Sequence, residues 1–297
     1  MENDKFRIKV PTDGISKLTS CNSLLCFHTV FPLLMVNPIT REILELPKPW
    51  IEEEDEEASA CVFGFDAKMN VYKVVQLKLC FSNSSLECEV LELGTTMSWR
   101  KIQHQPSFPC PDLGDPDEHP ELVFVEGSIY WLASENILCF DVAAERLKLI
   151  PEPDHQKAQC CGNYNTFLVE LDKSLCLMTH GISSGMVGIW KMQKDSVNEE
   201  TTWIKSYSFS ARRMIHNAIN PYGVENIHIK SLCMRGKKIY LKYNEGLACY
   251  DTQRQKLIAP VFSRVADNNN LGAVAYTKSI VRLQDIVGSS TLRLCTV

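Results

Sequence analysis

A repeated strand pattern constrains this chain more than any other feature. Gly127–Leu132 (Gly-Ser-Ile-Tyr-Trp-Leu) resembles Gly236–Leu241 (Gly-Lys-Lys-Ile-Tyr-Leu), and each is followed by a second apolar run that ends in Asp, at Asp141 and Asp251. Short apolar runs bounded by Asp, Asn and Gly are typical of antiparallel strands joined by turns. The corresponding tyrosines lie 110 positions apart, which predicts one further unit of about 55 residues between them.

The pattern extends through most of the chain. The last strands of five units are expected to end near residues 47, 102, 151, 208 and 259. A strand-built repeat of about 50 residues is typical of a β-propeller of the kelch type, in which each blade is a four-stranded meander. We therefore predict an all-β, kelch-like β-propeller of six four-stranded blades, formed by one domain that covers residues 1–297.

The sixth blade is expected at the C-terminus. Leu271–Tyr276 and Ser279–Leu283 are predicted to be its inner strands, and Leu292–Cys295 to add another. Phe6–Val10 is predicted to be the outermost strand of the same blade, so that N- and C-terminal strands close the ring. Such closure removes exposed sheet edges and ties down both termini.

Charge and hydropathy exclude several classes of protein. The net charge is −5 and the pI is about 5.9, whereas a nucleic-acid binder needs a surplus of Lys and Arg on one face. The most apolar stretch, Phe31–Val36, is far shorter than the roughly 20 residues of a membrane-spanning helix. The first residues carry acids and no apolar core of a secretion signal. We predict a protein of the cytoplasm or nucleus that binds neither nucleic acid nor membrane.

The 13 cysteines are predicted to be reduced thiols. Most lie in apolar runs, as Cys139 and Cys176 do, where they act as small hydrophobic side chains. No Cys-x-x-Cys pair occurs, and the adjacent pair Cys160-Cys161 is interpreted as part of a loop in a reducing compartment. Motifs for an activated nucleophile or a phosphate-binding loop are also missing from the sequence. We therefore predict no metal, no cofactor and no catalysis.

Six short motifs follow one another along the chain. They are Ser20–Cys26, Asn37–Arg41 with Leu46-Pro47, Gly64–Asp66 with Tyr72–Val75, Val90–Leu93 with Ser98–Arg100, Gly127–Leu132 with Phe140-Asp141, and Ile189–Met192. In this order and spacing, the chain resembles the F-box-associated domain of plant F-box proteins from about Ser20 to Leu283. Ser23 stands where that family usually has glycine.

We interpret these motifs as signals of turns and packing. The Asn and Asp residues fall at strand ends, where their side chains can cap turns. Trp99, Trp131, Trp190 and Trp203 recur at comparable positions in the units, where large aromatic side chains fill the space between sheets.

The resemblance implies a substrate-recognition module of an SCF-type cullin ubiquitin ligase, which binds a target protein and performs no bond chemistry. Family members carry a helical F-box before the propeller, whereas residues 1–19 are too few and do not read as helices. A Skp-type adaptor and a cullin are therefore expected partners only if the full-length gene product contains an F-box. Two alternatives stay open: a standalone propeller scaffold or decoy that binds targets without ligase assembly, and a propeller enzyme or lectin.

Long loops are the candidate binding surface. In a four-stranded meander, the link between strands two and three and the link after strand four leave from the same end, and loops commonly carry binding residues. Acidic residues in two of these loops predict a target with basic character. The candidates are Glu52, Glu53, Glu54, Asp55, Glu56, Glu57, Asp112, Asp115, Asp117 and Glu118. The alternative interpretation is that these loops are tolerated insertions.

Overall fold

The computed structural model of this chain is almost entirely β-structure. It describes residues 15–29, 33–48, 57–80, 85–94, 97–102, 122–133, 136–153, 164–182, 184–195, 200–212, 229–243, 246–262, 276 and 278–288. These residues contain twenty strands and one short helix. The prediction of an all-β chain is confirmed.

The strands form five sheets of four strands each within the described residues. The first sheet contains β1 Ile15–Cys21, β2 Leu24–Thr29, β3 Leu34–Asn37 and β4 Glu42–Glu45. The second contains β5 Glu57–Asp66, β6 Val71–Cys80, β7 Ser85–Glu92 and β8 Trp99–Lys101. The third contains β9 Leu122–Val125, β10 Ser128–Ala133, β11 Asn136–Asp141 and β12 Arg146–Pro151. The fourth contains β13 Tyr164–Leu171, β14 Ser174–Gly181, β15 Met186–Lys194 and β16 Thr201–Ser210. The fifth contains β17 Ile229–Arg235, β18 Lys238–Tyr243, β19 Gly246–Asp251 and β20 Lys256–Phe262.

Every sheet is a meander in which each strand pairs with the next one along the chain. The strand pairs of the first, second, fourth and fifth sheets are antiparallel. Strands β5 and β6 pair without interruption from Glu57 opposite Cys80 to Asp66 opposite Val71. Consecutive pairing follows from the short turns, because a two-residue link can join only antiparallel neighbours. The predicted four-stranded meander is therefore confirmed as the unit of this fold.

Tight two-residue hairpins join the first and second strands of the first, third and fourth sheets. Asn22 and Ser23 both have positive φ, as do Glu126 with Gly127 and Asp172 with Lys173. Two successive residues with positive φ form the type I′ turn, whose twist matches that of the paired strands. Ser23, which replaces the usual glycine, has a φ of 73°, and this conformation explains why glycine suits the position.

The chain divides into two compact units. The first unit contains residues 1–129, 140–147 and 274–297, and the second contains 130–139 and 148–273. The core of the first unit includes Met35, Phe63 and Leu91, which are buried. The core of the second includes Met178 and Tyr250, and Phe209 stacks on Tyr250 with ring centroids 4.1 Å apart. Within each unit, side chains from neighbouring sheets pack into an apolar core of that unit.

Two of the four tryptophans, Trp99 and Trp203, connect a fourth strand to the end of the preceding fourth strand, a contact that the sequence does not predict. Trp99 is buried and its indole N–H donates to the Pro47 carbonyl at 2.9 Å. Trp203 is half-buried and donates in the same way to the Pro151 carbonyl at 2.9 Å. Both bonds span 52 positions of sequence, so the repeat extends to individual hydrogen bonds. The other two tryptophans named above, Trp131 and Trp190, are buried.

The prediction of six blades is not supported, since the described residues form five four-stranded sheets. The segment predicted to be an inner strand, Ser279–Leu283, is not a strand and leads into helix α1, Leu283–Val287. Its backbone is held by side chains of the first sheet instead of by a neighbouring strand, since Asn37 donates to the Ser279 carbonyl. The other expected strands lie outside the described residues, namely 6–10, 271–275 and 292–295.

Candidate functional site

Most of the acidic residues predicted to form the site lie outside the described part of the chain. These are Glu52, Glu53, Glu54, Asp55, Glu56, Asp112, Asp115, Asp117 and Glu118. Glu57 is the first residue of β5, where its backbone pairs with Cys80. Glu57, which the sequence places in the acidic loop, therefore belongs to β5.

The long links occur where the sequence predicts them, after the fourth strand of a sheet. The connections from β4 to β5, from β8 to β9, from β12 to β13 and from β16 to β17 are the longest between consecutive strands of the described residues. Because successive strands are antiparallel, each connection starts from the same end of its sheet as the link between the second and third strands. The end of each sheet that carries both of these links is called here the long-loop end.

In the fourth sheet, hydrogen bonds join two links at the long-loop end. The amide of Ala211, just after β16, donates to the Gly185 carbonyl at 2.8 Å. The guanidinium of Arg212 donates to the Ser184 carbonyl at 3.0 Å. Gly185 and Ser184 belong to the link between β14 and β15. Arg212 is exposed, and so is Met186, which follows Gly185 in the chain. This end therefore presents both a cation and an apolar side chain.

The opposite end of each sheet is called here the short-turn end. In the first, second, third and fifth sheets it carries a recurring capped turn. The Asp141 carboxylate accepts from the amides of Ala143 at 2.9 Å and Ala144 at 2.8 Å. Asn37, Asp66 and Asp251 accept in the same way from the amides two and three residues later. The residues four positions after each cap have positive φ, namely Arg41, Asn70, Glu145 and Gln255. The expectation that Asn and Asp cap turns is confirmed, and the motif serves the fold.

A buried charge cluster, which the sequence analysis does not predict, lies between the second and third sheets. The Lys73 ammonium on β6 contacts the Asp66 carboxylate at 3.2 Å and the Glu145 carboxylate at 2.9 Å. It also donates to the Val142 carbonyl at 3.0 Å, and Arg100 pairs with Glu145. The Lys73 side chain is 5% exposed and that of Asp66 is 0% exposed. The alternating pattern of β6 predicts which side of the strand Lys73 lies on. It does not predict the contacts of Lys73 with Glu145 and Val142, because these depend on how the second and third sheets pack.

The charges of this cluster support one another. Burial alone would raise the pKa of Asp66, but donors from the Met69 amide, the Lys73 ammonium and the Lys68 amide outweigh it and lower the pKa. Burial alone would lower the pKa of Lys73, but hydrogen bonds to Glu145 and Asp66 raise it. Both groups are therefore held in their charged forms. The cluster has the features of a structural ion-pair network rather than of a catalytic acid and base.

The C-terminal segment binds to the short-turn end of the first sheet. The Asn37 side-chain amide donates to the Ser279 carbonyl at 3.2 Å and also to the Val281 carbonyl. The Glu42 carboxylate accepts from the Leu283 amide at 2.6 Å. Leu283 and Val287 of α1 are buried in the core of the first unit. Asn37 thus performs two tasks with one amide group, because its oxygen caps the turn and its nitrogen holds a distant segment.

In the described ranges, no group of three or more His, Cys, Asp or Glu side chains could hold a metal ion. Across the same ranges, no helix has the length and apolarity that a membrane crossing requires.

Comparisons with known proteins agree with this architecture. Residues 2–272 match the model of the F-box associated beta propeller domain. The F-box protein At3g07870 of Arabidopsis thaliana is 28% identical over 216 residues, which cover 64% of this chain and 49% of that protein. The putative F-box protein At1g47790 of the same plant is 28% identical over 229 residues, which cover 72% of this chain and 52% of that protein. The chain thus spans about half the length of these curated relatives. Among solved structures, the N-terminal domain of Nup159 is 8% identical with a TM-score of 0.40, covering 87% of this chain and 65% of that one.

Proposed function

Because this chain belongs to the family of F-box associated β-propeller domains, we propose that it is the substrate-recognition module of an SCF-type ubiquitin ligase. In this role it binds a target protein and performs no bond chemistry itself. Its contribution is to raise the effective concentration of the target near the ubiquitin-loaded enzyme. The observation that carries the proposal is the family match over residues 2–272, together with relatives that are F-box proteins.

The proposal assigns target binding to the long-loop ends of the sheets. In the fourth sheet, hydrogen bonds from Ala211 and Arg212 to the neighbouring link support a shared surface there. The acidic loops at residues 52–57 and 112–118 are proposed to favour a target with basic character.

Three features of the fold also stay predictions. They are ring closure through residues 6–10, the kelch-like subtype and a single domain over residues 1–297. Cytoplasm or nucleus is the proposed location.

Affinity purification of the tagged full-length gene product from plant cells tests ligase assembly. A Skp-type adaptor and a cullin should co-purify with it, and a target protein should accumulate when the proteasome is inhibited. Recovery of a target without adaptor and cullin would reject ligase assembly and favour the standalone scaffold or decoy.

Charge reversal of Glu52, Glu53, Glu54, Asp55 and Glu56 to Lys tests the acidic surface on folded protein with the target so identified. Weaker binding with a reduced salt dependence is expected. Exposed Glu126, in the turn between β9 and β10 at the short-turn end of the third sheet, offers a control for charge reversal elsewhere. Unchanged binding in the loop variant would remove the acidic loop from the proposal.

A further inference from the structure

Two segments that carry exposed aliphatic residues are joined at the short-turn end of the first sheet. Ile39 lies in the capped turn between β3 and β4 and is 41% exposed, whereas Ile280 and Val281 lie in the C-terminal segment and are 84% and 40% exposed. The Asn37 side chain brings the two segments together, since its oxygen accepts from the Ile39 amide at 2.9 Å and its nitrogen donates to the Ser279 carbonyl at 3.2 Å. Exposed aliphatic residues about 240 positions apart in sequence are thus held in adjoining segments.

The backbone that presents Ile280 is held on both sides. The carbonyls of Ser279 and Val281 accept from Asn37, and the next residues are anchored by Leu283, whose amide donates to Glu42 and whose side chain is buried. Ile280 therefore cannot turn inward without breaking these contacts. Isolated exposed aliphatics are ordinary, but a fixed group of them marks a candidate interaction surface.

Cations flank the aliphatic group. Arg41 and Lys278 are exposed and lie two residues from Ile39 and Ile280 respectively. Arg282 is 58% exposed, although its guanidinium is within 3.6 Å of the Glu42 carboxylate. Around these cations, the described residues of 37–42 and 276–285 contain two acids, Glu42 and Asp285.

The acids do not cancel the positive character of the surface. The Glu42 side chain is 6% exposed and already accepts from the Thr40 hydroxyl at 2.8 Å and from the Leu283 amide. Asp285 is the exposed acid of the two. Glu42 offsets the charge of Arg282, with which it pairs, so Arg41 and Lys278 against Asp285 leave this face with a net positive charge. We call this surface the Asn37 patch, which comprises Ile39, Arg41, Lys278, Ile280, Val281 and Arg282.

We propose that the Asn37 patch binds an acidic segment of a partner protein that carries large apolar side chains. The aliphatic centre would be covered by the apolar side chains, and the flanking cations would pair with the carboxylates. The patch lies where β4 begins, whereas the acidic loop follows the end of β4. It is therefore separate from the long-loop surface, and its charge selects the opposite kind of partner.

Fluorescence anisotropy with the purified chain and two synthetic peptides tests this proposal. The first peptide has about ten residues that alternate Asp or Glu with Leu or Phe, and the second has Lys at every acidic position. The acidic peptide should bind at least about tenfold more tightly than the basic one. Its affinity should fall as salt is raised, because the ion pairs at an exposed surface are screened.

Three variants locate the site. Ile39→Ser with Ile280→Ser removes the aliphatic centre, and Arg41→Glu with Lys278→Glu reverses the flanking charge. Each should weaken binding of the acidic peptide by about tenfold or more. Met69→Ser is the matched control, since Met69 is 70% exposed in the turn between β5 and β6, and it should leave binding unchanged. These side chains are all exposed, so thermal melts by circular dichroism should coincide with that of the wild type.

Several results would overturn the proposal. Among them are equal affinity for both peptides, binding weaker than about 1 mM, and equal losses in the patch variants and in Met69→Ser. Self-association that sedimentation velocity detects, and that Ile39→Ser with Ile280→Ser abolishes, would assign the patch to a second copy of the chain instead. The peptide assay uses this chain alone, so a failure of ligase assembly does not affect its outcome.

Discussion

At the scale of single residues, Lys73 shows how a charge is accommodated between sheets. An ammonium has three N–H donors, and here they serve Asp66, Glu145 and the Val142 carbonyl. Lys73→Met would leave two carboxylates facing an apolar side chain in a buried site. We expect the free energy of unfolding to fall by about 3 kcal/mol, because an uncompensated buried charge is costly. Urea denaturation followed by tryptophan fluorescence measures this change.

Lys101→Met is the matched control for that variant. Lys101 contacts Glu87 at 3.1 Å, but its side chain is 63% exposed. Exposed ion pairs contribute about 0–1 kcal/mol, so this variant should change stability little. A similar loss in both variants would show that burial of the Lys73 cluster is not what makes it stabilising.

The same cluster predicts how stability depends on pH. Burial would raise the pKa of Glu145, but hydrogen bonds from Arg100 and Lys73 lower it, and the pKa of Asp66 is lowered as well. Acids with lowered folded-state pKa values stabilise the protein above their unfolded values, near 4, and lose this contribution as pH falls through the folded values. The raised pKa of Lys73 affects stability at alkaline pH. Its contribution to the free energy of unfolding is present below pH about 10.4 and is lost as pH rises through the folded-state pKa.

We therefore expect the stability difference between wild type and Lys73→Met to shrink as pH falls from 7 to about 3. Urea denaturation at a series of pH values gives this difference directly. A difference that stays constant over this range would contradict the assigned ion pairs.

Ser23 illustrates strain at a turn. Its φ is 73° and it is buried, and a residue with a side chain pays about 1 kcal/mol in this region. Ser23→Gly should raise the free energy of unfolding by about 0.5–1 kcal/mol. The opposite kind of change, Gly127→Ala, should lower the free energy of unfolding by about 1 kcal/mol, because Gly127 has a φ of 80°. An added Cβ would meet nothing within 4 Å, so this loss would come from the backbone conformation and not from a clash. Destabilisation by Ser23→Gly would show that the serine contributes more than the turn conformation demands.

At the scale of secondary-structure elements, each capped turn uses a side-chain oxygen of Asn or Asp as the acceptor. The Asn37 cap differs because its side-chain nitrogen also binds the C-terminal segment. Asn37→Asp keeps the oxygen that caps the turn and removes the N–H donors that bind the Ser279 and Val281 carbonyls. We expect this variant to cost about 1–3 kcal/mol and to accelerate amide hydrogen exchange in α1. Asp141→Asn should cost less than about 1 kcal/mol, since Asp141 uses only its oxygen to cap. Equal exchange in α1 for wild type and Asn37→Asp would contradict the role given to the Asn37 nitrogen.

At the scale of the whole molecule, the cysteines contribute to the apolar core. The eight cysteines whose side chains the structure describes are thiols, and six of them are buried. Burial raises the pKa values of Cys21, Cys88 and Cys176 to about 12, which suppresses the reactive thiolate.

Two alkylation experiments check the predicted redox state of all 13 cysteines. In the native protein, the half-buried Cys61 and Cys233 should be modified faster than the buried thiols. In protein that is unfolded without reductant, mass spectrometry should find every cysteine labelled. Cysteines that resist labelling after unfolding would reveal disulfides and contradict the prediction of a reducing compartment.

Strand period and turn chemistry were sufficient to predict the local architecture. Alternating runs such as Val71–Cys80 form strands, and the Asn and Asp residues at strand ends cap turns. The same reasoning is wrong for Ser279–Leu283, which has apolar residues at strand-like spacing but is held by Asn37 and Glu42. Spacing identifies a segment that can form a strand, whereas pairing requires a neighbour with exposed N–H and C=O groups.

The acidic loops, the proposed target surface, could be identified only from composition. Their residues, apart from Glu57, lie outside the described part of the chain, so this site stays a prediction. The Asn37 patch, in contrast, has no signal in the sequence, because Ile39 and Ile280 become neighbours only through the contacts of one buried amide.

The sequence by itself determined the all-β class, the four-stranded unit, the capped turns and the family, because these depend on residues close together in the chain. Only the tertiary structure decided which elements meet, such as Lys73 with Glu145 across 72 positions and Asn37 with Ser279 across 242. Hydrogen bonds within a turn form wherever the local backbone allows them. Contacts between distant segments depend instead on how whole sheets pack, and many sequences with the same strand pattern could place different side chains there.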